Sequence, residues 1–305
     1  EILDFDFENA YVEQERPIKS MDMDGRIDLF IESKKYIIAI EIKIYEKNFN
    51  HKITKLDLSL ENAKEIIKSK KAEIIIGGSP CQDFSSAGKQ EEKGRADLTL
   101  KFAEIIESSS PEWFVMENVE RITKSGILKD AKNILKKNGY GLTEKVLKAS
   151  FFGVPQSRKR FFLIGHKNSE DNFLNNFIEE QKEEKETSIF FFLWNEFGIE
   201  YYYRHPRSYA RRGIFSIYEP SPTIRGVNRP IPKGYSKHEG DPVDITEDLR
   251  PLTIKERSII QTFPKEFIFE GTKTDLEQII GNAVPVKLAE VIAKAINEYK
   301  KTIKK

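Results

Sequence analysis

The residues best placed to do chemistry stand where apolar runs end. Ile74-Ile75-Ile76 is a β-branched run that reads as a short buried strand, and it stops at Gly77-Gly78, where backbone angles closed to side chains become available. Ser79, Pro80 and Cys81 follow, and Cys81 is the single cysteine of the 305 residues. A thiol just past the carboxyl end of a strand sits where open α/β sheets hold their ligands. Cys81 therefore reads as a nucleophile acting through its thiolate. The other reading of a lone cysteine is a small buried hydrophobe, and the Gly/Pro loop around this one favours the nucleophile. A second run, Trp113–Met116, ends in Glu117-Asn118-Val119. Parallel pairing of the two strands sets that carboxyl on the same sheet edge as the thiol; the plainer alternative is a helix cap. Arg158 and Arg160 lie two apart in Gln156-Ser-Arg-Lys-Arg160, on one face of an extended segment. Two guanidinium groups so placed contact a phosphate and a base carbonyl together, or form a basic surface edge.

A further constellation lies in the opening segment. Arg26–Glu32 and Tyr36–Ile44 read as strands joined at Ser33-Lys34-Lys35, a hairpin. Asp28 is on the first strand; Glu41 and Lys43 share a face of the second. Two carboxylates and an adjacent ammonium can hold and use a divalent metal, although a solvated hairpin face shows the same alternation.

The elements that position these groups follow from periodicity. Helices are expected over 59–73 (Ser59 as cap; Leu60, Ala63, Ile66 and Ile67 as the apolar stripe), 95–108 and 125–138, the last ending near Gly139. Strands are expected at 142–149 and 161–165. Residues 167–187 are polar and acidic and read as a linker or exposed helix. From 188 to 249 the character changes: aromatics cluster at Phe190–Trp194 and Tyr201–Tyr203, followed by Arg204, His205, Arg207, Arg211, Arg212, Arg225 and Arg229. Such loops suit neutralisation of a nucleic-acid backbone and contact with base edges. Thr253 and Glu256 form a capping-box pattern, and 286–298 carries an apolar stripe at Val286, Leu288, Ile292 and Ile296.

Bulk composition sets bounds. Fifty Lys+Arg against 49 Asp+Glu leave a net charge of +1, so any nucleic-acid contact must come from local clusters. One cysteine excludes an internal disulfide framework and fits a reducing cytoplasm. No run approaches the about 18 consecutive apolar residues of a membrane span, and the acidic stretch Glu1–Glu15 does not read as a secretory signal.

Gly78-Ser-Pro-Cys-Gln82, followed by Phe84-Ser85, resembles the catalytic loop of the DNA cytosine-5 methyltransferases. Glu117-Asn118-Val119, Gln156-x-Arg158-x-Arg160 and Gly281-Asn-Ala-Val-Pro285 match further family motifs in the family's order and spacing. Arg250–Pro264 and the pair Arg95 and Leu98 are similar to additional family segments, and the likeness runs over residues 38–305. The resemblance implies an α/β fold, a Rossmann-like S-adenosylmethionine-dependent methyltransferase sheet with a small target-recognition domain. It divides the chain into a nuclease-like or replaced hairpin (1–45), a catalytic domain (46–187), a target-recognition domain (188–249) and a C-terminal return to the catalytic domain (250–305). It implies Cys81, Glu117, Arg158 and Arg160 as catalytic residues, and Glu41, Asp57, Pro80, Asn282 and Val284 as binders of S-adenosyl-L-methionine. Ser79, Gln82, Asn118 and Arg225 would bind the substrate, a cytosine flipped out of double-stranded DNA, with no metal. The setting it implies is a cytoplasmic monomer of a restriction-modification system, with a cognate restriction endonuclease as companion.

The family opens with a Phe-x-Gly-x-Gly loop, whereas Gly25 is the only glycine before Gly77. Alternative accounts of the opening segment stand side by side. Gly25-Arg-Ile-Asp-Leu with Ile40-Glu-Ile-Lys43 resembles the core of PD-(D/E)XK nucleases, which makes the chain a fusion with a nuclease fragment. Alternatively, Ile38-Ala-Ile-Glu41 is the methyltransferase strand end whose acid binds the cofactor ribose, with Asp57 facing the adenine amino group. A catalytically impaired DNA-binding remnant with a defective cofactor site is the third reading.

Overall fold

The computed structural model describes residues 68, 72–78, 97–194, 197–206, 208 and 210–303, and gives the backbone of 11–20, 23–32, 37–39 and 42–45. The chain divides into two units, residues 1–147 with 160–175, and residues 148–159 with 176–305.

In the first unit the expected hairpin is present and larger than its sequence signal. β2 (Met23–Glu32) pairs antiparallel with β1 (Tyr11–Ser20) on one side, and with β3 (Ile37–Ala39) and β4 (Ile42–Tyr45) on the other. Asp28 lies on β2 and Lys43 on β4, opposite Arg26.

The two apolar runs become β5 (Ile74–Gly78) and β6 (Trp113–Asn118), paired in parallel from Ile74 against Trp113 to Gly78 against Glu117. Parallel neighbours need a crossover connection, and α1 (Asp97–Ser109) lies within it. α2 (Gly126–Lys137) starts at Ser125, whose hydroxyl accepts from the Ile127 amide, and stops before Gly139 at φ 79°. β7 (Tyr140–Lys148) and β8 (Lys159–Lys167) complete a sheet ordered β5-β6-β8-β7, with β8 antiparallel to β6. Helical spacing brings Leu128, Ala131 and Leu135 of α2 onto Phe114, Met116, Leu142, Phe161 and Leu163 of the sheet. Each of the leucine, phenylalanine and methionine side chains among them, fully buried, contributes about 1.5–3 kcal/mol. β7 begins earlier than its apolar signal, because the buried Tyr140 hydroxyl donates to the Pro111 carbonyl.

Residues 167–187 are not a free linker. Leu174 and Ile178 are fully buried, and the Asp171 carboxylate accepts from the Leu142 amide and from Lys136. A short helix, α3 (Asn175–Glu179), lies inside the segment. Two apolar residues four apart were hidden there among charges.

The second unit holds α4 (Ile189–Leu193), the antiparallel pair β9 (Tyr201–Tyr203) and β10 (Ile214–Ser216), α5 (Ile254–Ile260), α6 (Lys273–Asn282) and α7 (Val286–Ile303). The Thr253–Glu256 capping box forms as expected, and Thr272 with Asp275 makes a second one on α6. Ile260 and Ile280 share one apolar core with Ile189, Tyr202 and Phe215, so residues 250–305 group with the recognition segment. On α7 the buried stripe is Leu288, Val291, Ile292, Ala295 and Ile296, while Val286 at the first turn is 38 % exposed. Among the described residues no helix is long and apolar enough to cross a membrane.

Candidate active site and recognition loops

In the first unit, β5 leaves the sheet at Gly78, directly beside Glu117. A β-carbon on Gly78 would stand 3.3 Å from Glu117 Oε2, so glycine leaves that carboxyl its room. Cys81 follows three residues later in the chain. Ser79, Pro80, Cys81, Gln82, Glu41 and Asp57 all lie outside the described residues. On the other flank of β6, Phe162 of β8 is opposite Glu117, and Arg160, two residues away on β8, reaches the same carboxyl. Arg160 Nε is 2.7 Å from Glu117 Oε1, with side-chain exposures of 12 % and 21 %. A charge-assisted bond at that distance fixes the carboxyl's orientation while the pair stays open to solvent on one side. Asn118 is buried, and its Oδ1 accepts from the Val119 amide at 2.8 Å. It turns the chain out of β6 ahead of a 3-10 segment, Glu120–Lys124, whose N-cap position belongs to Val119 without a side-chain bond.

Within the second unit the structure brings Arg158, Arg225 and Asn282 together. Arg158, expected beside Arg160 at the substrate, is instead turned into the interior of its unit, 1 % exposed. Its guanidinium donates to the carbonyls of Ile224 at 3.0 Å, Gly281 at 3.1 Å and Asn282 at 3.3 Å. Gly281 has a steric role: a β-carbon there would lie 2.2 Å from both Arg225 C and Gly226 N. Backbone meets backbone at this point, and only glycine permits it. Asn282 is exposed at the end of α6, and Val284 is half-buried in the turn before α7.

Two residues that the sequence reading did not assign complete this arrangement. Gln156 and Gln261 are fully buried. Gln156 accepts from the Ile224 amide at 2.8 Å and donates to Gln261 at 2.7 Å, and Gln261 donates to the carbonyls of Ile280 and Ala283. The signal was in view: Gln156 opens the Gln-x-Arg-x-Arg element, and an uncharged amide at a helix end before Thr262-Phe263-Pro264 has carbonyls within reach.

The recognition loops are tied by their own arginines. Arg225 donates to the His205 carbonyl, Arg257 to the Arg225 carbonyl, and Arg204 to the Thr223 carbonyl at 2.9 Å. Asp241 anchors the other side. Its carboxylate accepts from the Gly213, Ile214 and His238 amides at 2.8–2.9 Å and from the Tyr235 hydroxyl at 2.7 Å. Burial pushes its pKa up, but these four donors outweigh burial and hold it below the ordinary aspartate value. The aromatics divide by role: Tyr202 and Tyr203 are core residues, whereas Phe191 and Trp194 are 73 % and 81 % exposed.

The family profile described as C-5 cytosine-specific DNA methylase matches residues 25–202 and 194–298. The Type II methyltransferase M.HindV of Haemophilus influenzae is 57 % identical over 263 residues, which is 85 % of this chain and 86 % of the relative. The Type II methyltransferase M.HgiDI of Herpetosiphon aurantiacus is 50 % identical over 260 residues, covering 85 % of this chain and 84 % of the relative. The crystal structure of the S. pombe Dnmt2 methyltransferase superposes with a TM-score of 0.56 at 18 % identity, over 77 % of this chain and 80 % of that one. That likeness establishes the shared fold, a Rossmann-like methyltransferase sheet. On the profile match and the two relatives, the chain belongs to the C-5 cytosine-specific DNA methylases.

Proposed function

We propose that the chain methylates carbon-5 of a cytosine in double-stranded DNA, as the modification enzyme of a Type II restriction system, through a transient bond between Cys81 and the base. The observation that carries this reading is the Glu117 carboxyl, held by Arg160 and adjacent to Gly78, three residues before Cys81. The matched names of the two curated relatives, both Type II methyltransferases, support the setting.

The chemistry follows from the base. Carbon-5 of cytosine is a poor nucleophile because the ring is aromatic. The Cys81 thiolate adds to carbon-6, breaking the aromaticity and sending an electron pair toward ring nitrogen-3 and carbon-5. The Glu117 carboxyl hydrogen-bonds nitrogen-3 and stabilises that charge. Arg160 orients Glu117 through its guanidinium. Carbon-5 then takes the methyl group. Its proton leaves to solvent, the carbon-6–sulfur bond breaks, and the pair returns to Cys81. These atoms are hidden in a duplex, so the base must be flipped out. Arg158 braces the segments of Ile224 and Gly281-Asn282 within its own unit.

The methyl donor of the family is S-adenosylmethionine, which supplies an electrophilic methyl group when bound. The described residues assigned to it fit in kind: Asn282 offers an exposed amide and Val284 an apolar surface one turn on. Glu41 and Asp57 would add the acceptors for ribose and adenine. The family match begins at residue 25 and so includes Glu41, which supports the cofactor reading of that acid over the nuclease reading.

The test uses a duplex carrying 5-fluorocytosine, from which no carbon-5 proton can leave. Wild-type protein with S-adenosylmethionine should form an adduct that survives denaturing electrophoresis, and Cys81→Ala should form none. Equal methyl transfer by wild type and Cys81→Ala would reject the proposal.

A further inference from the structure

Arg257 on α5 and Glu277 on α6 are buried opposite charges of the second unit, their side chains 4 % and 8 % exposed. Arg257 Nη1 stands 3.7 Å from Glu277 Oε1, too far for a hydrogen bond, and neither atom has a hydrogen-bond partner among the described residues. Burial pulls the Arg257 guanidinium below its ordinary pKa, and the attraction of Glu277 offsets only part of that. A buried pair in this geometry does not make good the loss of water from its two charges. Its presence needs a reason other than stability.

The remaining atoms of the two head groups supply one. Arg257 Nη2 donates to the Arg225 carbonyl, and Glu277 Oε2 accepts from the Asn228 amide at 3.1 Å. The two bonds grip one short loop on either side of Gly226 and Val227. Two further contacts hold the same loop. The Asn228 side-chain amide donates to the Leu252 carbonyl at 2.8 Å, and Gly281 lies so close that a β-carbon on it would collide with the Arg225–Gly226 peptide. Between the fixed points the chain turns outward: Val227 is 56 % exposed, and Arg229, just beyond, is exposed. A loop gripped by buried groups presents its outward side chains at one register.

Resting on the DNA-binding reading above, we propose that Arg257 and Glu277 are positioning residues for sequence selection. The pair sets the register of the loop 225–229 against the bound duplex and touches no DNA itself. It gives up stability for a single loop conformation, the use for which buried polar pairs are best attested.

The experiment selects binders from a pool of duplexes with a randomised stretch, without methyl donor, and sequences what is enriched. Affinities for the enriched site and for a random duplex are then measured across a series of salt concentrations. Wild type should enrich one site. Arg257→Met combined with Glu277→Leu should keep or raise the urea midpoint. It should cut the preference for that site over random duplex by about tenfold or more, and leave the slope of log affinity against log salt unchanged. Glu277→Asp, which keeps the charge but draws the carboxylate one methylene back from Asn228, should lose part of the preference at the same slope. A lower midpoint in the double variant would overturn the assignment, because the pair would then serve the fold. Full preference in both variants would also overturn it, as would a reduced slope, which marks Arg257 as a phosphate contact, or a wild type that enriches no sequence. Should wild type enrich a site yet form no adduct with the fluorinated duplex, the methylation reading falls and the positioning pair remains. Adduct formation with full preference in both variants removes the pair alone.

Discussion

Arg160 holds Glu117 by an Nε–Oε1 contact of 2.7 Å, across two antiparallel strands of one sheet. On the proposed chemistry the pair works as a unit. Arg160→Ala and Glu117→Gln should each lower the single-turnover methylation rate by about 10²–10⁴-fold, with circular dichroism unchanged. The double variant should lose far less than the product of the two, because each single change already disables the partner. Additive losses would mean that the residues act separately.

Arg158 lies two residues away in sequence and should behave differently. Its guanidinium is buried and serves three main-chain carbonyls. Arg158→Ala removes those donors and leaves the acceptors in a closed interior, a loss of about 3–5 kcal/mol visible as a lower urea midpoint. Arg158→Lys should recover little, since a point ammonium on a flexible stem does not reproduce the planar fork. An unshifted midpoint with activity abolished would return Arg158 to the substrate side.

This contrast shows what the sequence could carry. Period-two spacing puts both arginines on one face of an extended segment, but only Arg160 lies on a strand, and spacing says nothing about what each head group meets. Burial decided that, and the burial of Arg158 comes from Ile224 and Gly281, about 66 and 123 residues downstream. Local signals did better. The β-branched run of β5, the capping box at Thr253 and the Ser125–Gly139 limits of α2 were readable because the atoms involved are neighbours in the chain. The α7 stripe was right except at Val286, which stands at the helix start and stays 38 % exposed. The 167–187 segment misled because burial of Leu174 and Ile178 depends on distant partners, while their flanking charges are visible in the sequence.

Gly281 gives a paired test of backbone approach. Gly281→Ala would press a methyl group to 2.2 Å from Arg225 C and Gly226 N, atoms that cannot rotate aside. The helix end must shift, and with it the carbonyls that Arg158 and Gln261 hold; the expected loss is about 1–3 kcal/mol or more. Gly126, at the start of α2, has nothing within 4 Å of the corresponding position. Gly126→Ala should therefore stabilise the protein by about 0.4–1 kcal/mol through the unfolded chain. Calorimetric melting of both variants checks the pair, and a neutral Gly281→Ala would show that the contact is not tight in solution.

Asp241 sets an acid limit on the recognition loops. Its folded pKa is depressed by four donors that outweigh burial, while the unfolded value is about 3.9. A depressed acid contributes stability that is fully present above the unfolded value and is lost as the pH falls through the folded one. The Asp241 contribution should thus be constant at neutral pH and should disappear below about pH 4. Asp241→Asn turns an amide N–H toward either the Gly213 and Ile214 amides or the Tyr235 and His238 donors. Donors then face a donor, which costs about 1.5–3 kcal/mol at neutral pH. Urea midpoints measured from pH 7 downward should show the variant weaker at neutrality and flatter in acid, the two curves converging as wild-type Asp241 takes up its proton. An acid slope in Asp241→Asn equal to that of wild type would assign the loss to other depressed carboxylates, Glu256 beside Arg250 and Asp171 beside Lys136.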